Sequence, residues 1–326
     1  MSTEPKNEYC RVPIKLILEH GDDFPFDIYL KLGPAKIIKL SHRNEDIKET
    51  FLRYKEKGVE DVFVLQREMS AFIKQLRKNM ANRFFDSGTL PTREAVSILD
   101  SGYMVTKEAF MKLGVNETTL AVAKEVNEFS VKMLKKVPNI FEFFKQFRED
   151  CEKSFMKQLM VAYSTSCMID TFDWKSQQIK EKTAMAAMLC DVLLTESQIE
   201  LVNQAEKVAD GDWDAHLPRE ILEHPTKLSS MLMPQRHTIS TETIGIIEVH
   251  HELPNGDGFP RGITADRLTL LPCIYIVANK FITLMIDSGF DYRQRDSMLQ
   301  TLEDNYSRGN FKKAVRSLYK MLGMVV

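Results

Sequence analysis

Two adjacent histidines, His250 and His251, end an apolar segment and are followed at once by Glu252. Imidazole is a preferred protein ligand for zinc, iron, copper and nickel, so this pair could bind a metal ion. A glycine-rich run, NGDGFPRG, occupies residues 255–262, and its glycines let the backbone come close to a bound group. The stretch therefore predicts a metal centre.

One geometric condition applies to the histidine pair. Adjacent residues on a regular helix point about 100° apart. His250 and His251 can bind the same ion only if the helix ends or distorts there, which Pro254 permits. Otherwise one of them would not bind the ion itself but would hydrogen-bond to a residue that does.

This stretch resembles the signature of the HD-GYP family, metal-dependent phosphodiesterases that open the bacterial second messenger cyclic di-GMP. The family pattern is HHE, a short spacer and then DGxGYPxG. Here Asn255 stands where an acid is usual, and Phe259 replaces the tyrosine. The resemblance covers roughly the second half of the chain, is strongest between Ala184 and Phe281, and implies an all-helical domain.

The resemblance also implies a set of metal ligands around a bridging aspartate that two iron or similar ions share. The ligands of one ion are all kept. They are Asp191, in an altered HD motif, His224, which precedes Pro225, and the pair His250 and His251. A site of three nitrogens and one oxygen suits one divalent ion such as iron, manganese or zinc.

The positions on which the other ion relies are altered. Tyr163 and Cys190 replace two histidines, and Asn279 replaces an aspartate. A phenol and a neutral amide are poor ligands for a divalent cation. Two alternatives stay open: the kept residues could be relics that hydrogen-bond in a polar core without metal, and Cys190 could be a soft ligand or a core residue.

The phosphate contacts implied by the resemblance are reduced as well. Leu194 replaces a lysine, and only Tyr292 and Arg293 remain of an RPYR segment. Phe259 keeps a face on which a base could stack but lacks the hydroxyl. The loop 254–262 resembles a segment that in the family can contact partner domains such as diguanylate cyclases; its candidate residues are Gly256, Gly258, Pro260 and Arg261.

Three functions follow as hypotheses. The leading one is a catalytically impaired HD-GYP-like protein that acts as a regulatory or protein-interaction module in cyclic di-GMP signalling. The alternatives are a single-metal phosphohydrolase, with Glu252 as a candidate acid or base, and a sensor that binds cyclic di-GMP without hydrolysing it.

The elements that must position these residues are predicted to be helices. Apolar residues recur at helical spacing from residue 118 onward, which predicts an all-α HD-type bundle over residues 118–326. Helices are expected at 118–137, 141–159, 175–194, 196–209, 218–231, 240–251, 272–287 and 311–322.

The first part of the chain predicts a small α+β accessory domain over residues 1–85, joined by a linker region at 86–117. Short β-branched segments at 12–18, 26–32, 35–40 and 59–65 indicate strands, and Gly33-Pro34 indicates a hairpin turn. Helices are expected at 44–57 and 68–85.

Composition argues against nucleic acid and membranes as partners. The formal net charge is −2, so no overall field favours a nucleic acid polymer or an anionic membrane. We expect no membrane insertion and, with five cysteines and no CxxC pair, reduced thiols in a cytoplasm.

Overall fold

The computed structural model describes residues 8–19, 25–33, 36–41, 48–86, 92–136, 143, 145–146, 152–208 and 212–324. The chain divides into two compact units, residues 1–129 and 130–326. The predicted order, a small α+β part followed by an all-helical part, is confirmed.

A four-stranded antiparallel sheet forms the centre of the first unit, with the spatial order β1-β4-β2-β3. Alternate residues along the strands are buried, Cys10 and Val12 on one and Val62 and Val64 on its neighbour, because successive side chains point to opposite faces. The strands are β1 (Tyr9–Pro13), β2 (Ile28–Gly33), β3 (Lys36–Ser41) and β4 (Asp61–Leu65).

Helices complete the first unit. The predicted hairpin is present, since β2 pairs with β3 on either side of residues 34–35, which lie outside the described residues. The helices are α1 (Ile14–Glu19), α2 (Lys48–Glu56), α3 (Gln66–Asp86), α4 (Thr92–Leu113) and α5 (Glu117–Leu134), and the division between the units falls within α5.

Two predictions for this unit are corrected. The strand expected at 12–18 ends at Pro13, and Ile14–Glu19 is a helix. Proline has no N–H with which to continue a strand ladder. The linker region expected at 86–117 contains α4, which packs against β1 and α3. Its buried residues recur at helical spacing, among them Val96, Leu99 and Tyr103.

All the regular secondary structure among the described residues of the second unit is helical. Most predicted helices are present, the 218–231 segment as two helices, whereas most of the one expected at 141–159 lies outside the described residues. The helices are α6 (Lys153–Asp170), α7 (Gln177–Leu189), α8 (Glu196–Val208), α9 (Trp213–His216), α10 (Arg219–Leu222), α11 (His224–Leu232), α12 (Thr241–Val249), α13 (Leu270–Asp287), α14 (Arg295–Asn305) and α15 (Gly309–Met321).

Helix α13 forms the centre of this bundle and packs against α6, α12 and α15. It is long and apolar enough to cross a membrane by length and composition, with a mean hydropathy of 1.6, and 67% of it is buried. Burial against other helices is typical of a core helix, which equally needs an apolar surface. The described cysteines, Cys10, Cys167, Cys190 and Cys273, are free thiols.

Candidate metal centre

The four predicted metal ligands lie where helices begin or end. Asp191 follows the last turn of α7, and His224 is the first residue of α11. Helix α12 ends at Val249 with His250 as its C-cap, so the helix ends beside the histidine pair, as the sequence required. All four side chains are buried.

These side chains converge on one point. One candidate ligand atom from each lies within 4.8 Å of all the others. Asp191 Oδ1 is 3.5 Å from His224 Nε2, 3.5 Å from His250 Nε2 and 3.8 Å from His251 Nε2. The Nε2 atoms of His224 and His250 are 3.3 Å apart.

The opposite nitrogen of each imidazole is held by an acceptor. His224 Nδ1 lies 2.5 Å from the Ile221 carbonyl oxygen, and His250 Nδ1 lies 2.7 Å from that of Ile247. Since a carbonyl only accepts, each Nδ1 carries the proton and each neutral ring presents a lone pair at Nε2. These lone pairs point towards Asp191.

His251 is held in the same way by a carboxylate. Its Nδ1 lies 3.0 Å from Oε1 of Glu206 on α8, and Glu206 Oε2 lies 3.9 Å from Lys280 Nζ. Metal-binding histidines characteristically donate their other N–H to a carboxylate or a carbonyl, which fixes the ring and its tautomer. The sequence analysis missed Glu206, because one acid on an amphipathic helix carries no local signal.

The protonation states of Asp191, His224 and His250 favour metal binding. Burial raises the pKa of Asp191, but its contacts with the three imidazoles outweigh this and hold the pKa well below its usual value. Burial lowers the pKa of His224, and burial and the nearby His251 lower the pKa of His250 to about 4. For His251, burial is outweighed by Asp191 and Glu206, so its pKa is raised, and a metal ion must displace a proton from this ring.

The chemistry of this donor set fits one divalent ion. Three imidazole nitrogens and a carboxylate oxygen would repel one another unless a cation lies between them, and the buried His251 Nε2 has no hydrogen-bond partner. Such a set is typical of zinc, iron or manganese. Asp191, His224, His250 and His251 would hold the ion.

Of the altered positions, Tyr163 and Cys190 have other surroundings, whereas Asn279 faces the site. The Tyr163 hydroxyl contacts Cys167, and burial raises the pKa of Tyr163 to about 12. Cys190 is buried, and burial raises its pKa well above the usual value, which favours a core thiol over a thiolate ligand. Asn279 lines the same cavity as His250 and His251, and its buried amide oxygen has no hydrogen-bond partner.

Two altered positions lie together in an apolar cluster. Leu194 and Phe259 belong to one buried group, which also includes Trp213. Phe259 stacks on His251 with ring centroids 4.4 Å apart and contacts Trp213 edge-on at 5.1 Å. The face expected to stack on a base is therefore buried within the protein.

The loop after the histidines is folded tightly onto Glu252. The carboxylate of Glu252 is fully buried; Oε1 accepts from the Arg261 amide at 2.9 Å, and Oε2 accepts from the Ile263 amide at 2.8 Å. Burial raises the pKa of Glu252. Both oxygens accept from backbone amides, so Glu252 positions the loop.

Glycine is required at three points of this loop: Gly256, Gly258 and Gly262, the last with a φ of +62°. A Cβ on Gly258 would lie 2.3 Å from the Leu253 amide nitrogen, and Gly256 has a φ of +87°. Asn255 and Asp257 hydrogen-bond each other, and the Asp257 carbonyl accepts from the Trp213 indole. The loop is thus a compact structure, with Asn255, Asp257 and Arg261 exposed and Pro260 half-buried.

A cavity of about 580 Å³ opens beside the candidate metal centre. His250, His251 and Asn279 line one side of it, and Lys207, Lys280 and Arg308 supply positive charge. Arg293, the predicted phosphate contact, is absent from the cavity lining: its side chain is 91% exposed and pairs with Asp291 at 2.8 Å. Arg308 and Lys280 are cations that the sequence analysis missed.

Comparison with known proteins supports the fold. No protein-family model and no curated protein matches the chain. Among solved structures, Bd1817, a HDG"Y"P protein from Bdellovibrio bacteriovorus, matches with a TM-score of 0.58 at 15% sequence identity, and the match covers 97% of this chain and 100% of that chain. The chain therefore has an HD-GYP-like fold.

Proposed function

We propose that this chain holds one divalent metal ion and acts as a regulatory module in cyclic di-GMP signalling that does not hydrolyse the nucleotide. The observation that carries this proposal is the convergence of three imidazole Nε2 atoms on Asp191 Oδ1 at 3.5, 3.5 and 3.8 Å. The positions of a second ion carry Tyr163, Cys190 and Asn279 instead.

Loss of a second ion matters for phosphodiester hydrolysis. Two metals hold the attacking hydroxide between them and neutralise charge on both sides of the phosphorus. A single ion would still supply a Lewis acid, but Leu194 offers no cation and Glu252 is engaged by the loop. These features favour a binding role over turnover.

The proposed partner surface is the loop 254–262, and a diguanylate cyclase domain is the proposed partner. Its exposed polar side chains, Asn255, Asp257 and Arg261, stand on a backbone that Glu252 and the glycines hold in one shape. A loop held in one shape loses little conformational freedom on binding, which favours affinity.

A second candidate function is a sensor that binds cyclic di-GMP without hydrolysing it. It is favoured by the cavity of about 580 Å³, which lies within the size range of small-molecule sites. Lys207, Lys280 and Arg308 on its lining offer charge to phosphate groups.

One experiment separates the candidates. Purified protein reconstituted with Fe(II) or Mn(II) is incubated with cyclic di-GMP, product is followed by chromatography, and binding is measured by calorimetry. The regulatory module predicts no product and no heat of nucleotide binding. Binding without product would support the sensor, and product formation would contradict both in favour of a phosphohydrolase.

A further inference from the structure

The carboxylate of Asp191 uses its two oxygens for different purposes. Oδ1 faces the three imidazoles, whereas Oδ2 lies 2.7 Å from the side-chain amide nitrogen of Gln158 on α6. Gln158 is 1% exposed, so this contact is closed to solvent. It joins residues 33 positions apart in the chain.

The chemistry of the pair fixes the orientation of the amide. Asp191 faces the imidazole nitrogens through Oδ1 and accepts from Gln158 through Oδ2, so both of its oxygens serve as acceptors. Gln158 must therefore present its NH₂ group, and its buried Oε1 is left without a hydrogen-bond partner. The side chain thus keeps its hydrogen bond to Asp191 although its amide oxygen accepts no hydrogen bond.

We propose that Gln158 limits this centre to one metal ion, because its amide occupies the oxygen of Asp191 through which the carboxylate would bridge to a second ion. This inference rests on the proposed metal centre. A bridging carboxylate gives one oxygen to each ion, and an N–H donor on Oδ2 takes the place of the second.

The test compares metal stoichiometry in four proteins. Each is loaded with excess Mn(II), freed of unbound metal by gel filtration, and analysed by elemental mass spectrometry and electron paramagnetic resonance. The wild type and Asn279→Asp are expected to hold one Mn(II), because an added carboxylate does not free Oδ2. Asn279→Asp with Gln158→Glu is expected to hold two, with the spectrum of a coupled pair.

Asn279→Asp with Gln204→Glu is the matched control, since Gln204 is exposed on α8 and the change in charge is the same; it is expected to hold one ion. If the Gln158→Glu protein does not fold, Asn279→Asp with Gln158→Ala replaces it, with the same expected stoichiometry.

Two ions in Asn279→Asp alone, or one ion in a folded Gln158 variant, would overturn the role of Gln158. No ion in the wild type would instead overturn the metal centre itself.

Discussion

Replacing Glu206 would weaken metal binding although Glu206 lies outside the ligand set. Its Oε1 accepts from His251 Nδ1 at 3.0 Å and so directs His251 Nε2 towards Asp191. Loss of such a supporting partner costs about 10–100-fold in metal affinity, which corresponds to about 1.4–2.7 kcal/mol. We expect Glu206→Gln, which keeps an acceptor but loses the charge, to lower the metal affinity about 10-fold. Glu206→Ala, which loses the acceptor as well, should lower the metal affinity about 100-fold.

The assay is competition with a chromophoric chelator for Zn(II), which gives the dissociation constant of each variant. Glu200→Gln is the matched control, since Glu200 is exposed on the same helix and its change is expected to leave the affinity unaltered. Thermal unfolding of the metal-free proteins checks that the variants fold. Wild-type affinity in both Glu206 variants would refute the reasoning that Glu206 orients His251.

Other predictions concern the ligand and the loop. Asp191→Ala is expected to abolish metal uptake, whereas Asp170→Ala, on the exposed end of α6, retains it; unchanged metal content in the Asp191 variant would exclude this site. Metal at 100 times its dissociation constant should stabilise the wild type by about 2.7 kcal/mol, measured by chemical denaturation with and without chelator. Gly258→Ala is expected to destabilise the protein by about 1–3 kcal/mol, because its Cβ would overlap backbone. Gly245→Ala, with nothing within 4 Å of its Cβ, should gain up to about 1 kcal/mol, and equal melting temperatures would contradict this contrast. Glu252→Ala removes two charge-assisted hydrogen bonds, each worth about 1.5–3 kcal/mol, and should speed proteolysis after Arg261; an unchanged rate would argue against its loop role.

The residues of the candidate metal centre could be picked out from the sequence because they are chemically distinctive types in recognisable local contexts. His250 and His251 are adjacent, and the need for the helix to end beside them was evident from geometry alone. The structure ends the helix at Val249, which lets both rings face Asp191.

The supporting residues were not predictable in the same way. Gln158 and Glu206 are single polar residues on amphipathic helices, and each meets its partner across more than 30 positions of chain. Nothing in their local sequence distinguishes them from solvent-facing residues. The cations of the cavity, Lys280 and Arg308, were hidden for the same reason.

The errors in the first unit have local physical causes. The alternation of Ile14, Leu16 and Leu18 is typical of a strand, but Pro13 ends the ladder, and the adjacent Leu16 and Ile17 are both buried, as on a helix. Helix α4 was expected to be part of a linker region. A Cβ on Gly102, at its centre, would lie 2.6 Å from Val126 Cγ2, so this glycine permits close helix packing.

The number of metal ions per chain tests the central claim most directly. Elemental analysis of the purified protein, after loading with Fe(II), Mn(II) or Zn(II) and removal of free metal, should give one ion per chain, and none in Asp191→Ala. Two ions per chain in the wild type would contradict the single-ion centre and restore the requirements for hydrolysis. No ion under any loading condition would show that the histidines and Asp191 form a polar core without metal.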